Sequence, residues 1–386
     1  MTLHATAGPL TLERDERPVT TTAHDGIDFD VHGLVGVRLL DAGPREAAAV
    51  GRQLGIAPAP LGREPDIVVR FVDRVATASP VRYLGHKDVG FTDDAFLVLR
   101  GKQKSRVRVQ IPLGEIGRRP TIVCERGAPA IPFLIPILNL TALANGALPL
   151  HASAFVHEGR GVVATGWSKG GKTEALLAFA ANGARYVGDE WVFLSDGGMR
   201  ASGLGEPIRV WNWHLRELPT YRTGIDRTDR ARLRTLGALL ALDRAAGLIA
   251  PGPARRVRHL LEDQQRVDVD PARLFGATAC VESTRVDTVL FVVSRDAPGV
   301  TVEAADPLDV AARMAASLQH ERLPFHALYL KWKFAFPGAV CPLLEGAESI
   351  ERAALDDFLA GKPMYTVHHP YPVSLTDLYA AVAPHC

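Results

Sequence analysis

The stretch that most constrains the fold of this chain is GWSKGGKT, residues 166–173. It fits the pattern GxxxxGK[ST] and lies between an apolar run, GVVATG, and a helix-prone run, KTEALLAFAANG. A glycine-rich loop between a strand and a helix lets consecutive N–H groups point at a polyphosphate, and the helix dipole favours its charge. The alternative is a glycine-rich turn without a ligand. The flanking strand and helix are the context that the pattern requires, so we expect a phosphate-binding loop.

This loop predicts the contacts to a nucleotide. Lys172 would reach the β- and γ-phosphates, and the Thr173 hydroxyl would be a ligand of Mg²⁺. The predicted nucleotide-binding residues are Gly166, Trp167, Ser168, Lys169, Gly170, Gly171, Lys172 and Thr173. No segment matches the guanine-reading pattern NKxD, so ATP is the expected nucleotide, with Mg²⁺ as its cofactor. The loop alone is compatible with a GTPase-like switch, an ATPase, a small-molecule kinase or a protein kinase.

An acidic pair, Asp189 and Glu190, follows the predicted strand ARYV, seventeen and eighteen residues after Lys172. A helix of about three turns and a returning strand would bring the pair back beside the phosphates. Adjacent residues on a strand point to opposite faces, so the two carboxylates should have different roles. We expect Asp189 to face the γ-phosphate and Glu190 to support it; the reverse assignment and a solvated acidic turn are the alternatives.

A histidine, His151, opens the strand before the loop strand, fifteen residues before Gly166. A lone histidine at a strand end is usually structural. If the two strands pair through the EGRG turn, however, this histidine lies at the strand edge nearest the phosphates. Its imidazole could then orient a carboxylate or compensate charge. The predicted catalytic residues are therefore Asp189, His151, Lys172 and Glu190.

These elements together resemble the catalytic core of the HPr kinase/phosphorylase family. His151-x-Ser153, the loop and VGDEW occur in the family's order and without a gap in spacing. The resemblance covers roughly residues 148–220. It implies an α/β kinase domain of the HPr kinase/PEP carboxykinase type, with Asp189 as the acid/base that takes the hydroxyl proton and His151 supporting the acidic pair.

The resemblance also bears on the metal ligands and has departures. Glu217 falls near the family's Mg²⁺-binding glutamate if two residues are inserted, and Glu206 in GEPIRV competes for that role. Lys169 stands in the glycine-rich part of the loop, and Glu190 replaces a second aspartate. The Gly- and Ile-rich signature after the metal glutamate is absent, so we expect a diverged relative and carry over neither phosphorolysis nor the hexamer.

Composition limits the partners and the compartment. The net charge of +1 gives no electrostatic case for binding nucleic acid or a membrane surface. The uncharged run at 131–150 is long enough to cross a bilayer, but its three prolines, two asparagines and one glycine favour a buried helix leading into a strand. Four cysteines without CxxC spacing, and an acidic N-terminus unlike a signal peptide, favour a reduced, cytoplasmic protein.

The chain divides into two predicted domains. Residues 1–128 form a smaller N-terminal α+β scaffold or docking domain, in which VHGLVGVRLL is expected as one strand, and residues 129–386 form the catalytic domain. The Arg-rich segment 222–258 is expected as a solvated helix face or, alternatively, a substrate lid. The expected activity is transfer of the γ-phosphate of ATP to a Ser or Thr hydroxyl of a peptide or protein. A kinase of a small-molecule alcohol and a nucleotide-binding ATPase or regulator are the alternatives, and a homo-oligomer is compatible with the sequence.

Overall fold

The structure, a computed structural model, describes residues 26–77, 79–84, 89–99, 107–246 and 254–386, and for 244–246 and 254–257 it describes the backbone alone. It is a mixed α/β protein in which two large sheets carry most of the strands. The strands are β1 (Ile27–Val31), β2 (Val35–Leu40), β3 (Ile67–Val72), β4 (Arg82–Tyr83), β5 (Val89–Phe91), β6 (Phe96–Val98), β7 (Val109–Ile111), β8 (Thr121–Glu125), β9 (Leu148–His157), β10 (Arg160–Gly166), β11 (Arg185–Gly188), β12 (Trp191–Ser195), β13 (Arg200–Gly203), β14 (Ile208–Trp211), β15 (Arg266–Val269), β16 (Ser283–Arg285), β17 (Thr288–Ser294), β18 (Thr301–Ala304) and β19 (Met364–His369). The α-helices are α1 (Pro44–Leu54), α2 (Leu134–Ala144), α3 (Lys172–Ala180), α4 (His214–Glu217), α5 (Arg227–Ala246), α6 (Ala254–Asp263), α7 (Pro271–Phe275), α8 (Pro307–Ala335), α9 (Pro342–Leu359) and α10 (Leu375–Val382).

The first sheet is built from the N-terminal third of the chain, in the order β1-β2-β3-β8-β7-β6-β5-β4. Its β2, β3 and β8 are parallel, and α1 provides the crossover between β2 and β3. The segment VHGLVGVRLL, expected as one strand, ends β1 and then forms β2. His32 and Gly33 take left-handed backbone conformations and turn the chain there, so the segment belongs to a hairpin rather than to one strand.

The second sheet carries the glycine-rich loop. Its order is β16-β13-β12-β9-β10-β17-β19-β18, with β11 also paired to β9. The strands β10, β17 and β19 are parallel. Their carboxyl ends therefore meet at one edge of the sheet, where ligands of open α/β sheets bind.

Helices cover both faces of the second sheet. Along β10, Val163 packs into the cluster formed with α2, α8 and α9, whereas Val162 and Ala164 pack into the cluster under α3 and α10. This alternation follows from the two-residue period of a strand. Burial on both faces explains why GVVATG is apolar throughout rather than alternating.

One long helix crosses the back of the sheet. The sequence indicated a helix through HERL and apolar residues at helical spacing from His326 onward; in the structure these are one helix, α8, with Pro324 inside it. Proline costs an internal hydrogen bond and usually bends or ends a helix. Here Phe325, Tyr329 and Trp332 are all buried against the core, which offsets that cost. Helical spacing in this segment favours a core position for Tyr329, Trp332, Phe334 and Phe336. Tyr329 and Trp332 are buried and Phe336 is partly buried, but the expectation is wrong for Phe334, which is 77% exposed.

The uncharged run at 131–150 forms α2 and the start of β9, both buried. No helix in the described ranges is long and apolar enough to span a membrane.

The two predicted domains correspond to separate sheets, but one hydrophobic cluster runs from Phe29 to Met364 across them, and the boundary at residue 128 stays a prediction. The loose N-terminal stretch expected at residues 1–25, and the side chains of Arg244, Arg255 and Arg256, lie outside the part that the structure describes.

Candidate active site

The predicted phosphate-binding loop connects the carboxyl end of β10 to the first residue of α3. Gly166, Lys169 and Gly171 have positive φ values of 155°, 61° and 110°. A β-carbon on Gly166 would lie 2.4 Å from the carbonyl oxygen of Val292, so neither its backbone nor its surroundings admit a side chain. Lys169 also has a left-handed backbone conformation, which costs a non-glycine residue about 1–2 kcal/mol. The loop therefore accommodates a lysine at this position with some backbone strain.

Lys172 lies under the loop rather than in solvent. Its Nζ donates to the carbonyl oxygen of Trp167 at 2.8 Å and lies 3.4 Å from that of Gly166. Burial lowers the pKa of the Lys172 ammonium, and the nearby carboxylates of Asp189 and Glu190 oppose this effect. The lysine is thus held beside the loop backbone as a buried cation, where it can interact with a polyphosphate at low dielectric.

Asp189 lies directly beside the start of α3. The Thr173 hydroxyl donates to its two carboxylate oxygens at 3.0 and 3.3 Å. The carboxylate is 2% exposed, and burial, followed by repulsion from Glu190, raises the pKa of Asp189 to about 7. A carboxyl group with a pKa near neutrality, placed next to a phosphate loop, is suited to exchange a proton.

Glu190 points toward His151, away from Thr173. The pair was expected at the end of a strand, but both residues lie in the turn between β11 and β12, where the left-handed backbone of Glu190 rather than strand alternation sets the directions. His151 Nε2 lies 3.1 Å from Glu190 Oε2, and its Nδ1 lies 2.9 Å from Oε1 of Glu321 on α8. Burial lowers the pKa of His151, but the hydrogen bond to Glu190 and the close contact with Glu321 outweigh it and raise that pKa above its usual value. The hydrogen bond from His151 is also the largest cause of the lowered pKa of Glu190. The two members of the acidic pair therefore have opposite pKa shifts.

Sheet register brings these distant residues together. His151 pairs with Trp191 across β9 and β12, and Ala152 pairs with Thr165 across β9 and β10. The hairpin therefore places His151 at the level of the loop, and the turn between β11 and β12 places the acidic pair beside it. Glu190 occupies that turn with a φ of 67°, a conformation that non-glycine residues rarely adopt.

Several residues at this site had no signal in the sequence. Glu174 and His214 form a buried pair, with His214 Nε2 3.1 Å from Glu174 Oε1, and His369 Nε2 lies 2.8 Å from the carbonyl oxygen of Gly170. Together with Glu321, these side chains come from segments far apart in the chain, so no spacing rule could have grouped them.

The two candidate metal glutamates are placed differently. Burial raises the pKa of Glu206 to about 7, and the negative charges of the nearby Glu190 and Asp189 contribute to this shift. Glu217 is exposed on α4, and neither glutamate is among the residues that line the cleft around the loop. Over the described residues, no group of three or more His, Cys, Asp or Glu side chains could hold a metal by itself. The Thr173 hydroxyl and the Asp189 carboxylate do suit Mg²⁺, which binds proteins through one or two carboxylates and takes further ligands from phosphates and water.

The close packing of Gly171 leads to a first prediction. A β-carbon there would lie 2.1 Å from His369 Nε2, whereas one on Gly183, which also has a positive φ, would meet nothing within 4 Å. We expect Gly183→Ala to cost only the backbone strain, about 1–2 kcal/mol. Gly171→Ala should lower the free energy of unfolding, measured in urea, by more than Gly183→Ala does. It should also weaken the binding of a non-hydrolysable ATP analogue, measured by calorimetry. Equal stabilities with unchanged nucleotide binding would contradict the described loop geometry.

Comparisons with known proteins add little to this geometry. No protein-family model matches the chain, and no curated protein matches it. A solved structure of the Hpr(Ser) kinase/phosphatase from Coxiella burnetii aligns with 48% of this chain and 97% of its own length, at 15% identity and a TM-score of 0.22. This likeness is too weak to support a conclusion, so the fold and the function of this chain must be argued from its own residues.

Proposed function

We propose that this chain is an ATP-dependent kinase that transfers the γ-phosphate to a hydroxyl group, with a Ser or Thr side chain of a peptide or protein as the acceptor. The observation that carries the proposal is the position of Asp189: a fully buried carboxyl with a pKa of about 7, hydrogen-bonded to the threonine of a glycine-rich loop. A phosphoryl transfer site needs a cradle for phosphates and a group that receives the proton of the acceptor. This arrangement offers both.

Each side chain has a distinct part in the proposed reaction. The loop N–H groups and Lys172 hold the phosphates and stabilise the charge that develops on the transferring group. Thr173 would supply a hydroxyl ligand for Mg²⁺, with Glu206 beside the acidic pair as the candidate carboxylate ligand, and the ion would offset phosphate charge when bound. His151, held between Glu190 and Glu321, keeps the Glu190 carboxylate ionised and fixed beside Asp189.

The transfer step balances without a further reactant. The acceptor oxygen forms a bond to the γ-phosphorus as the bond from that phosphorus to the β,γ-bridging oxygen breaks. The hydroxyl proton passes to a carboxylate oxygen of Asp189, and ADP leaves. The sequence resemblance to a family that phosphorylates serine supports a Ser or Thr hydroxyl as the acceptor.

Labelling would test the proposal. The protein is incubated with Mg²⁺ and γ-³²P-labelled ATP, either with a degenerate Ser/Thr peptide library or with a panel of small alcohols, and the products are separated. We expect label on Ser or Thr of peptides. Label on alcohols only would change the acceptor class, and inorganic phosphate released at a rate independent of any hydroxyl compound would indicate an ATPase.

The raised pKa of Asp189 leads to a second prediction, on pH dependence. Asp189 must be ionised to accept a proton, so kcat/KM for ATP should rise with pH through about 7 and level off above it. Glu206 has a pKa of about 7 as well, so Glu206→Gln is the control. If the ionisation of Asp189 causes the rise of kcat/KM with pH, the same rise should be seen in Glu206→Gln. A limb that disappears in Glu206→Gln, or activity that is flat from pH 6 to 8, would contradict the assignment.

A further inference from the structure

The cleft around the loop encloses about 210 Å³ and is lined by two groups of residues. One group is the acidic pair with its partners His151 and Glu321, together with Arg209, whose charge acts on Glu190. The other group is Glu174, His214 and Tyr371, which are linked by the His214–Glu174 hydrogen bond and by ring contacts through Trp213. We call the part of the cleft lined by Glu174, His214 and Tyr371 its second end, and the proposed chemistry leaves that part without a role.

The orientation of Lys172 sets the direction of a bound polyphosphate. The lysine of such a loop reaches the β- and γ-phosphates. Here its Nζ points back to the beginning of the loop, at the carbonyl oxygens of Gly166 and Trp167. A bound terminal phosphate would therefore lie beside the Lys172 ammonium, which is also close to Asp189. The α-phosphate and the nucleoside would then extend the opposite way, past Glu174 in the first turn of α3.

Tyr371 stands at that second end as an exposed aromatic side chain in a fixed position. Its ring is 48% exposed and meets Trp213 in a T-shaped contact, with centroids 6.0 Å apart at 89°. Trp213 in turn contacts His214, which is paired with Glu174 at the start of α3. These contacts fix the ring relative to the helix against which the nucleoside would lie.

The phosphate loop itself also positions the tyrosine. Two residues before Tyr371, His369 contacts the carbonyl oxygen of Gly170 at 2.8 Å, so the end of β19 is tied to the loop. On the facing hairpin, Trp211 and Arg266 are register partners, and the Arg266 guanidinium lies 5.5 Å from the Trp211 ring centroid. This hairpin also lines the cleft and offers it a cation for a phosphate and a second aromatic surface.

We infer that the second end of the cleft binds the nucleoside of the nucleotide, with its base stacked on Tyr371. This inference rests on the proposed nucleotide-dependent function. Half-exposed, rigid aromatic rings are good stacking partners for bases, since every base presents a π-face. Stacking does not read the base edge, so adenine and guanine nucleotides should depend on Tyr371 to the same degree.

The test separates the base from the phosphates. Calorimetry with Mg²⁺ compares a non-hydrolysable ATP analogue with inorganic tripolyphosphate, which has no base, in the wild type, Tyr371→Ala and Tyr371→Phe. We expect Tyr371→Ala to weaken the analogue by about 5- to 100-fold, as base–aromatic stacking does, and to leave tripolyphosphate binding unchanged. Tyr371→Phe, which keeps the ring, should bind both ligands as the wild type does. Tyr83→Ala, at a 55% exposed tyrosine of the first sheet, is the matched control.

Retained tripolyphosphate binding also shows that Tyr371→Ala is folded. The inference is overturned if Tyr371→Ala weakens both ligands equally, if it weakens neither, or if Tyr371→Phe is as weak as Tyr371→Ala. A wild type that binds neither ligand would instead overturn the proposed function together with the inference. If the wild type and Tyr371→Ala bind both ligands equally well, the stacking role of Tyr371 is wrong while the proposed nucleotide-dependent function stands.

Discussion

Asp189→Asn should lower acceptor-dependent phosphoryl transfer by about 10²- to 10⁴-fold while the protein still binds ATP, because the amide cannot receive the hydroxyl proton. Asparagine keeps the size of the side chain and one oxygen for the Thr173 hydroxyl, which lies 3.0 Å from Asp189 Oδ2. The measurement is single-turnover transfer from γ-labelled ATP, with nucleotide affinity measured in parallel. Full activity in the variant would exclude Asp189 as the proton acceptor.

The same variant gives an independent readout in stability. Folding raises the pKa of Asp189 from its usual 3.8 to about 7, so ionising this group costs the folded state free energy. The free-energy cost appears as the pH rises above 3.8, the pKa of the unfolded state, and reaches its full size above a pH of about 7. A neutral asparagine avoids it, so Asp189→Asn should be more stable than the wild type by an increment that grows from pH 5 to pH 8 and reaches a few kcal/mol, estimated at about 1.4 kcal/mol per pKa unit. Asp287→Asn, at a carboxylate whose pKa is lowered, should not gain stability as the pH rises.

Lys172→Ala is expected to lose most nucleotide binding and to lower transfer by about 10²- to 10³-fold, the usual loss for one charge-stabilising donor at a reaction centre. The ammonium is buried close to Asp189 and Glu190, and its removal takes away a positive charge that acts on both carboxylates. Phosphates would then approach an acidic site. The measurement is the affinity for a non-hydrolysable ATP analogue together with the single-turnover rate.

The control for this variant is Lys362→Ala. Lys362 is partly exposed and lines a different cavity, together with Arg285 and Asp287. Asp287 directly precedes β17, so this cavity lies at the end of the sheet away from the loop. The substitution Lys362→Ala therefore removes the same charge as Lys172→Ala without changing the loop. We expect wild-type affinity and rate in Lys362→Ala. Equal losses in the two variants would mean that net charge, rather than the position of Lys172, determines nucleotide binding.

The local part of the site could be predicted from the sequence. The hairpin of β9 and β10, the loop and α3 follow one another without interruption, so the strand period, the EGRG turn and the glycine pattern specify them directly. The different surroundings of Asp189 and Glu190 were also expected, but on the premise of a strand, whereas both residues lie in the turn between β11 and β12. Their detailed roles and the identity of the metal ligands remain predictions.

The rest depends on tertiary packing, which a single sequence does not show. Glu321 reaches His151 because α8 crosses the back of the sheet, and α8 itself continues through a proline that would normally suggest a helix end. His369 and Tyr371 reach the loop because β19 is parallel to β17, two strands away from β10. Strands as short as β4 and β5 of the first sheet carry too few residues for a period to be recognised.

The most direct test of the central claim is the rate of ADP formation from ATP and Mg²⁺ as Ser/Thr peptide acceptors are added. We predict that the wild type forms ADP at a rate that rises with acceptor concentration, with one phosphate bound to a Ser or Thr side chain for each ADP formed. Asp189→Asn should bind ATP and show no such rise. ADP formation unaffected by any hydroxyl acceptor, or none at all from a protein that binds ATP, would contradict the account of this chain as a kinase.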